Sequence, residues 1–357
     1  MNKFAFAEFI TENKKLVDKR IVQYVNLKSD LFNRLPLFGS DLSTRLVSFA
    51  TRGKNIRGVL FLFTAEMFGE KICPALIDIA AGLELIHSSL LIHDDVMDND
   101  LLRRGQPSLY SQYLERMKKS SIKENVQTAK SLAICVGDLS FFLGMQLINR
   151  AVFDLKLNDS ILTKITDEIM LVGLAQMEDV FYGNQDETPS LKEIDLVYLY
   201  KTARYTFSLP MSLSTLVAKQ KSDMIVDIEQ LGEHIGFIFQ LRDDEIGLFM
   251  DEGISGKTKG SDIRENKKTY LKSLLYSHLS ISSKTKLDSI FGNKNITEND
   301  IKYIQNIIIT SGVTKQIQNI VEDREKKAIE IINRLPVKHS YKASLVGLLR
   351  YISDRKK

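Results

Sequence analysis

Between Glu84 and Gly105 the chain reads ELIHSSLLIHDDVMDNDLLRRG, an apolar run that ends in carboxylates. No Pro or Gly interrupts Leu83 to Asp98, and Leu83, Ile86, Leu90 and Met97 recur near helical spacing, so the run predicts a buried helix. On such a helix Asp94 and Asp98 are i,i+4 neighbours with Asp95 beside them. Carboxylates crowded into little more than one turn repel each other, and near an apolar core they must be offset by protons, cations or a metal. Their hard oxygens suit Mg²⁺, which takes one or two carboxylates and fills its shell with water and phosphate oxygens. Beyond Asp98 come Arg103 and Arg104, whose guanidinium forks match phosphate geometry. Acids, a hard cation and paired arginines together point to a diphosphate. Alone, a DDxxD is more often a solvated helix end than a metal site, so the weight falls on what accompanies it.

A second acidic cluster, FQLRDDEIGLFMD, carries Asp243, Asp244 and Asp251 at the end of a helix expected over 223–250. Upstream of the first cluster, TRGKNIRG concentrates Arg52, Lys54 and Arg57 around Gly53. Gly lets a backbone approach an anion closely, and the flanking cations make a phosphate pocket; read by itself, the stretch serves equally well as a solvated loop. His87 lies two turns before Asp94, where a core histidine is the commoner role. The Gly- and Lys-rich stretch EGISGKTKGSDIRENKK reads as a basic loop.

The rest of the chain is helical in pattern. Two amphipathic helices are expected over residues 3–50, with a break at Pro36 and Gly39, and another helix ends near Gly69. The polar stretch Lys118–Lys130 reads as a loop or short exposed helix, with the next long helix starting near Gly137. Ser190 with Glu193 forms a capping-box signature ahead of Lys201 and Thr202, and Thr297 caps a helix ending near Gly312. Pro210 interrupts or kinks an apolar segment. No alternating strand pattern of useful length occurs, so the fold is expected to be all-α.

With 357 residues, 44% of them hydrophobic, the chain can bury one large core or two ordinary ones. The net charge of +4 comes from interspersed acids and bases, which gives no support to nucleic-acid binding. Cys73 and Cys135 form neither a CxxC nor a disulfide framework, which fits a reducing cytoplasm. The N-terminal stretch lacks an apolar signal core, and no integral membrane segment is expected.

Taken together, GKNIRG, DDVMDNDLLRRG, YKTA, FQLRDDEIG and GKTKGSDIRENKKT resemble, in order and spacing, the motifs of the trans-isoprenyl diphosphate synthases, or polyprenyl synthetase family, from about residue 50 to 275. The resemblance implies an isoprenoid synthase fold, a single all-α domain over 1–357 with a helical bundle around a central elongation cavity, and a likeness to geranylgeranyl diphosphate synthases. It implies a Mg²⁺-dependent prenyltransferase, a homodimer, that condenses isopentenyl diphosphate with a dimethylallyl, geranyl or farnesyl diphosphate. By the same resemblance Asp94 and Asp98 bind Mg²⁺ bridged to the allylic diphosphate and Asp95 supports them, while Asp243 and Asp244 hold a further Mg²⁺. Arg103, Lys201 and Lys257 contact that diphosphate, and Thr202, Gln240 and Lys267 complete its site. Lys54, Arg57, His87 and Arg104 match positions that hold isopentenyl diphosphate.

Two departures stand out: Gly247 occupies a position where many members carry a third Asp, and Asn55 one where a basic residue is common. Product length, in the family, depends on the cavity floor below the first motif. The fifth position before Asp94 is Ser89, too small to stop a chain, and Leu90 beside it is only moderately bulky, so Phe141 or Phe142 on the facing helix becomes the expected obstruction. A longer-chain polyprenyl synthase is the alternative within the enzyme class. A non-catalytic regulatory subunit is the alternative outside it, though such a subunit has no physical reason to keep a costly acidic cluster.

Overall fold

The computed structural model describes residues 3–119, 125–250, 260–279 and 281–355. In chain order the helices are α1 (Lys3–Leu27), α2 (Ser29–Phe32), α3 (Pro36–Thr51), α4 (Ile56–Met67) and α5 (Pro74–Met97); a two-residue hairpin, β1 (Leu102–Arg103) and β2 (Gln106–Pro107), precedes α6 (Leu109–Lys118) and α7 (Asn125–Asp154). Then come α8 (Ser160–Gly183), α9 (Leu191–Val197), a π-helical segment (Tyr198–Ser208), α10 (Leu209–Val217) and α11 (Ser222–Phe249). The remainder is α12 (Ser261–Arg264), α13 (Tyr270–His278), α14 (Ile281–Asp288), α15 (Glu298–Thr310), α16 (Val313–Arg334) and α17 (His339–Ser353). The all-α expectation holds. The chain forms two compact units: Met1–Lys164 with Pro210–Gln220, and Ile165–Leu209 with Lys221–Lys357.

In the first unit α5 is the central helix, packed on α1, α4 and above all α7. The approach is close because the crossing is lined with small residues. A Cβ on Gly82 would stand 2.8 Å from the Gly144 carbonyl oxygen, and one on Gly144 would stand 2.7 Å from the carbonyl of Gly82. Across the same seam Ser140 Oγ donates to the Leu85 carbonyl at 2.8 Å. The α4 helix is buried on nearly every side, from Arg57 through Ala65, as its unbroken apolar run demands. Pro36 occupies the first turn of α3, where its missing N–H costs nothing.

The expected start of α7 near Gly137 is corrected to Asn125. The polar residues that suggested a loop include Gln127 and Thr128, which with Ser131 lie on the outer side of the helix, while Ala129 and Ala133 turn inward. The windows of α5 and α7 are long and apolar enough to cross a bilayer, but 72% of the α5 window is buried inside the protein, against 44% for α7. That is the pattern of core helices, α7 keeping one apolar face outward.

The second unit is organised around α11, which packs on the π-helical segment, α16 and α17. The expected capping box of Ser190 with Glu193 is present at α9, and the expected Thr297 cap at α15 is itself a capping box, closed by Asp300. Pro210 acts one turn earlier than expected. Its ring would clash with the Thr206 carbonyl in an α-helix; the chain instead widens, and the Leu209 N–H reaches back to the Arg204 carbonyl, a π-type bond. Arg204, inside this segment, bridges Glu168 of α8 and Glu233 of α11.

Candidate active site

In the first unit Asp94 and Asp95 lie in the last turn of α5 and Asp98 is its C-cap. The hairpin folds Arg103 back onto them. Its Nε donates to Asp95 Oδ1 at 2.6 Å, and Nη2 reaches Asp94 at 3.1 Å and Asp100 at 3.3 Å. Burial pushes the Asp95 carboxyl up to about 7 against the pull of Arg103. For Arg103 burial disfavours the cation, but Asp95, Asp94 and Asp100 outweigh it.

Behind this pair lies a second set. Arg57, in the first turn of α4, is buried, and Glu84 Oε1 accepts the Gly58 N–H at 2.8 Å. Burial raises the Glu84 pKa, while Arg57, the Gly58 bond and Arg104 pull it down. His87 is held neutral, since burial first and then Arg57, Arg104 and Arg103 disfavour its cation. Arg104 sits in the left-handed region (φ 55°), which turns the hairpin and sends its guanidinium over Gly53; a Cβ there would meet Nη1 at 2.5 Å. Gly53 therefore makes room for an arginine. Lys54 is exposed at the mouth of the same loop.

Asn55, the basic position that departs from the family, is left-handed (φ 50°) and buried. Its amide donates to Asp18 Oδ1 at 2.7 Å, and Lys14 ties that same Asp18 to the Thr51 carbonyl at 3.0 Å. Asn tolerates this backbone better than a long cation does.

The second unit carries the remaining residues. In the π-helical segment Lys201 pairs with Asp179 at 2.6 Å, and Lys267, in the turn before α13, lies 3.9 Å from Asp179 and 3.6 Å from Glu265. Thr202 Oγ1 donates to Gln240 Oε1 at 2.7 Å, and Gln240 Nε2 donates to Asp244 Oδ1 at 2.8 Å. Asp244 is buried; burial raises its pKa, the Tyr198 bond opposes that and the charge of Asp262 adds to it. Asp243 is half-exposed and bonded by Arg355 at 3.0 Å, whose guanidinium also lies 4.6 Å from the Phe239 ring centre. Lys257 and Asp251 fall outside the described residues.

Sequence reasoning therefore found the acids and bases but missed several residues they use: Glu84, Asp100, Tyr198, Asp262 and Arg355. Asp100 and Asp262 lie inside quoted motifs but at positions given no role there, and Glu84, Tyr198 and Arg355 meet their partners only across long sequence separations. Phe142 is a correction. At 68% exposed it lines a surface pocket of about 520 Å³ with Lys28, Leu31 and Leu139, so it is no interior obstruction. Ser89 is 1% exposed and Leu90 and Phe141 are partly buried.

Among the described residues no three His, Cys, Asp or Glu side chains converge into a metal cage. The donors nonetheless suit Mg²⁺, because each motif offers only carboxylate and leaves most of a shell for water and phosphate.

Helices with one short hairpin, and acids beside cations in each unit, fit a class confirmed by the matches that follow: a trans-prenyltransferase of the isoprenoid synthase fold. The polyprenyl synthetase family pattern matches residues 42–308, and the chain belongs to that family. It is 27% identical to the geranylgeranyl diphosphate synthase of Saccharolobus solfataricus over 315 residues, 87% of this chain and 88% of that protein. With the geranylfarnesyl diphosphate synthase of Aeropyrum pernix it shares 25% identity over 344 residues, 96% of this chain and 100% of the other. Its fold matches a geranylgeranyl pyrophosphate synthase structure from Corynebacterium glutamicum, complexed with isoprenyl diphosphate and magnesium, at a TM-score of 0.88 and 24% identity, covering 97% of this chain and 99% of that one.

Proposed function

We propose that the chain is a Mg²⁺-dependent synthase that joins isopentenyl diphosphate to an allylic diphosphate and releases geranylgeranyl diphosphate. The observation that carries this reading is the pair of adjoining anion sites in the first unit. One is the Asp94–Asp95–Arg103 group; the other gathers Arg57, Arg104 and a neutral His87 around buried Glu84. A condensation of two diphosphates needs two such sites.

In this scheme Arg103, Lys201 and Lys267 receive the allylic diphosphate, and Arg57, Arg104, His87 and Lys54 hold the homoallylic one. When the allylic C–O bond breaks, its electron pair leaves with the diphosphate, whose growing charge these cations stabilise. The isopentenyl double bond attacks the allylic carbon, a C–C bond forms, and the proton then lost goes to the departed diphosphate. Mg²⁺, held by Asp94, Asp98 and Asp243, supplies further charge neutralisation when bound. Residues 1–357 serve as one catalytic domain, two copies form a homodimer, and the free thiols Cys73 and Cys135 support a cytoplasmic setting.

The test is direct. The purified protein, Mg²⁺, labelled isopentenyl diphosphate and each allylic starter are incubated and the dephosphorylated products sized. A twenty-carbon product abolished by EDTA and cut by orders of magnitude in Asp94→Ala and Asp243→Ala is expected; no EDTA-sensitive product from any starter refutes the reading.

A further inference from the structure

We infer that Tyr198 is a positioning residue for the second acidic motif, joining through one hydroxyl the three segments of the second unit that carry Lys201, Asp243 and Lys267. The inference rests on the enzymatic reading above, and deepens it. Tyr198 stands in the π-helical segment three residues before Lys201. Its hydroxyl donates to Asp244 Oδ2 on α11 and accepts the Tyr270 N–H at 3.0 Å, at the start of α13 and just after Lys267. Both hydrogen-bonding capacities of the hydroxyl are thereby used, and Tyr198 and Asp244 are both buried.

The other oxygen of Asp244 is held by Gln240, which Thr202 holds in turn, so the π-helical segment grips the motif at two points. A carboxylate fixed through both oxygens by side chains is not free to leave them for a ligand. Asp244 then serves to orient the last turns of α11, and Asp243 is the acid left to face a metal. The Tyr198 ring is itself locked, with ring centres 5.6 Å from Phe237 and 5.4 Å from Tyr270. Outer residues that orient metal ligands affect metal affinity by about 10- to 100-fold when removed.

Tyr198→Phe deletes the hydroxyl and keeps the ring. Tyr270→Phe is the control: it removes the bond from Tyr270 Oη to Asp195 in the same aromatic cluster but leaves the Tyr270 N–H and Tyr198 untouched. Full-length wild type and both variants are titrated with Mn²⁺ in the presence of inorganic pyrophosphate, followed by electron paramagnetic resonance. In parallel the Mg²⁺ concentration for half-maximal rate, kcat and the KM for isopentenyl diphosphate are measured. Tyr198→Phe is expected to weaken Mn²⁺ binding and raise the Mg²⁺ requirement about tenfold or more, to lower kcat, and to leave the isopentenyl KM unchanged. Tyr270→Phe should change melting temperature without moving the metal dependence. Amide exchange at residue 270 should rise in Tyr198→Phe alone. Wild-type metal dependence in Tyr198→Phe, or the same shift in Tyr270→Phe, overturns the inference while leaving the enzyme reading intact. No Mn²⁺ binding and no activity in wild type overturns both.

Discussion

Gly247 shows how a motif can mislead when read one position at a time. As a sequence it is a missing third acid. In the structure a Cβ on Gly247 would stand 2.8 Å from Asp262 Oδ2, so a carboxylate from α12 already occupies the space above that position. Restoring the commoner Asp at 247 would set two like charges together beside Asp244, which already resists ionisation. Gly247→Asp is therefore expected to lower kcat/KM by about tenfold or more, the equivalent of at least ~1.4 kcal/mol, and adding Asp262→Asn should recover most of the loss; steady-state kinetics on the three proteins decides. Asn55 is the same lesson in a loop. Its left-handed backbone and its bond to Asp18 were invisible to a reading that expected a cation there. Asn55→Lys should cost about 1–2 kcal/mol of stability in urea unfolding. The acids and arginines of the first motif were legible because local spacing brings them together, whereas Glu84, Tyr198 and Asp262 act through partners the chain reaches only by folding.

Helices were mostly readable from period and caps, since α4, α5, α11 and α15 carry clear apolar stripes or capping residues. Two features were not. The first turns of α7 are polar because they face outward at its start, and the π-helical segment has no sequence period distinct from an α-helix, Pro210 being its only outward sign. The entry to α13 and its first turn hold a further surprise, two buried lysines, Lys268 and Lys272. Lys268 Nζ donates to the Gln185 carbonyl at 2.8 Å, and Lys272 donates to Asn266 and lies 4.1 Å from the Phe291 ring centre. Burial and the neighbouring Lys268 lower the Lys272 pKa from 10.5 to about 7, with Asp288 opposing. Below about 7 the folded protein bears the full cost of that cation. Between about 7 and 10.5 the unfolded chain holds a proton that the folded chain does not, so stability rises with pH through this window. Lys272→Met lacks this term. Its melting temperature should exceed that of wild type most at pH 6 to 7, with the gap closing toward pH 10, as scanning calorimetry across the range will show.

The chain as a whole is proposed to be one catalytic domain, and within it two compact units form, each with its own acids and cations. Composition and periodicity set the class but could not show that division, because both halves have the same helical texture. Nor could they show which apolar residues remain outside. On α7 the exposed set includes Ile134 (42%), Leu139 (39%), Phe142 (68%) and Phe153 (82%), far more apolar surface than a single helix leaves open without a partner. This supports the proposed homodimer and separates the two phenylalanines once paired as chain-length determinants. Their rings touch edge to face, with centroids 5.9 Å apart, but Phe141 is partly buried while Phe142 is mostly exposed. Ser89 belongs with the buried side. It lies a heptad after Gly82 and four residues before His93, and both of those meet α7, so Ser89→Phe would force a ring into the closely packed seam. It is expected to lower the melting temperature as well as shorten the product. The clean comparison is Phe141→Ala against Phe142→Ala. If the growing prenyl chain runs along the buried side of α7, Phe141→Ala should shift products beyond twenty carbons at unchanged oligomeric state. Phe142→Ala should leave product length as it is and weaken self-association in sedimentation velocity, with Phe142→Glu yielding monomer at micromolar concentration. Longer products from Phe142→Ala, with association intact, would place the cavity on the outer face of α7 and reverse the assignment of the two rings.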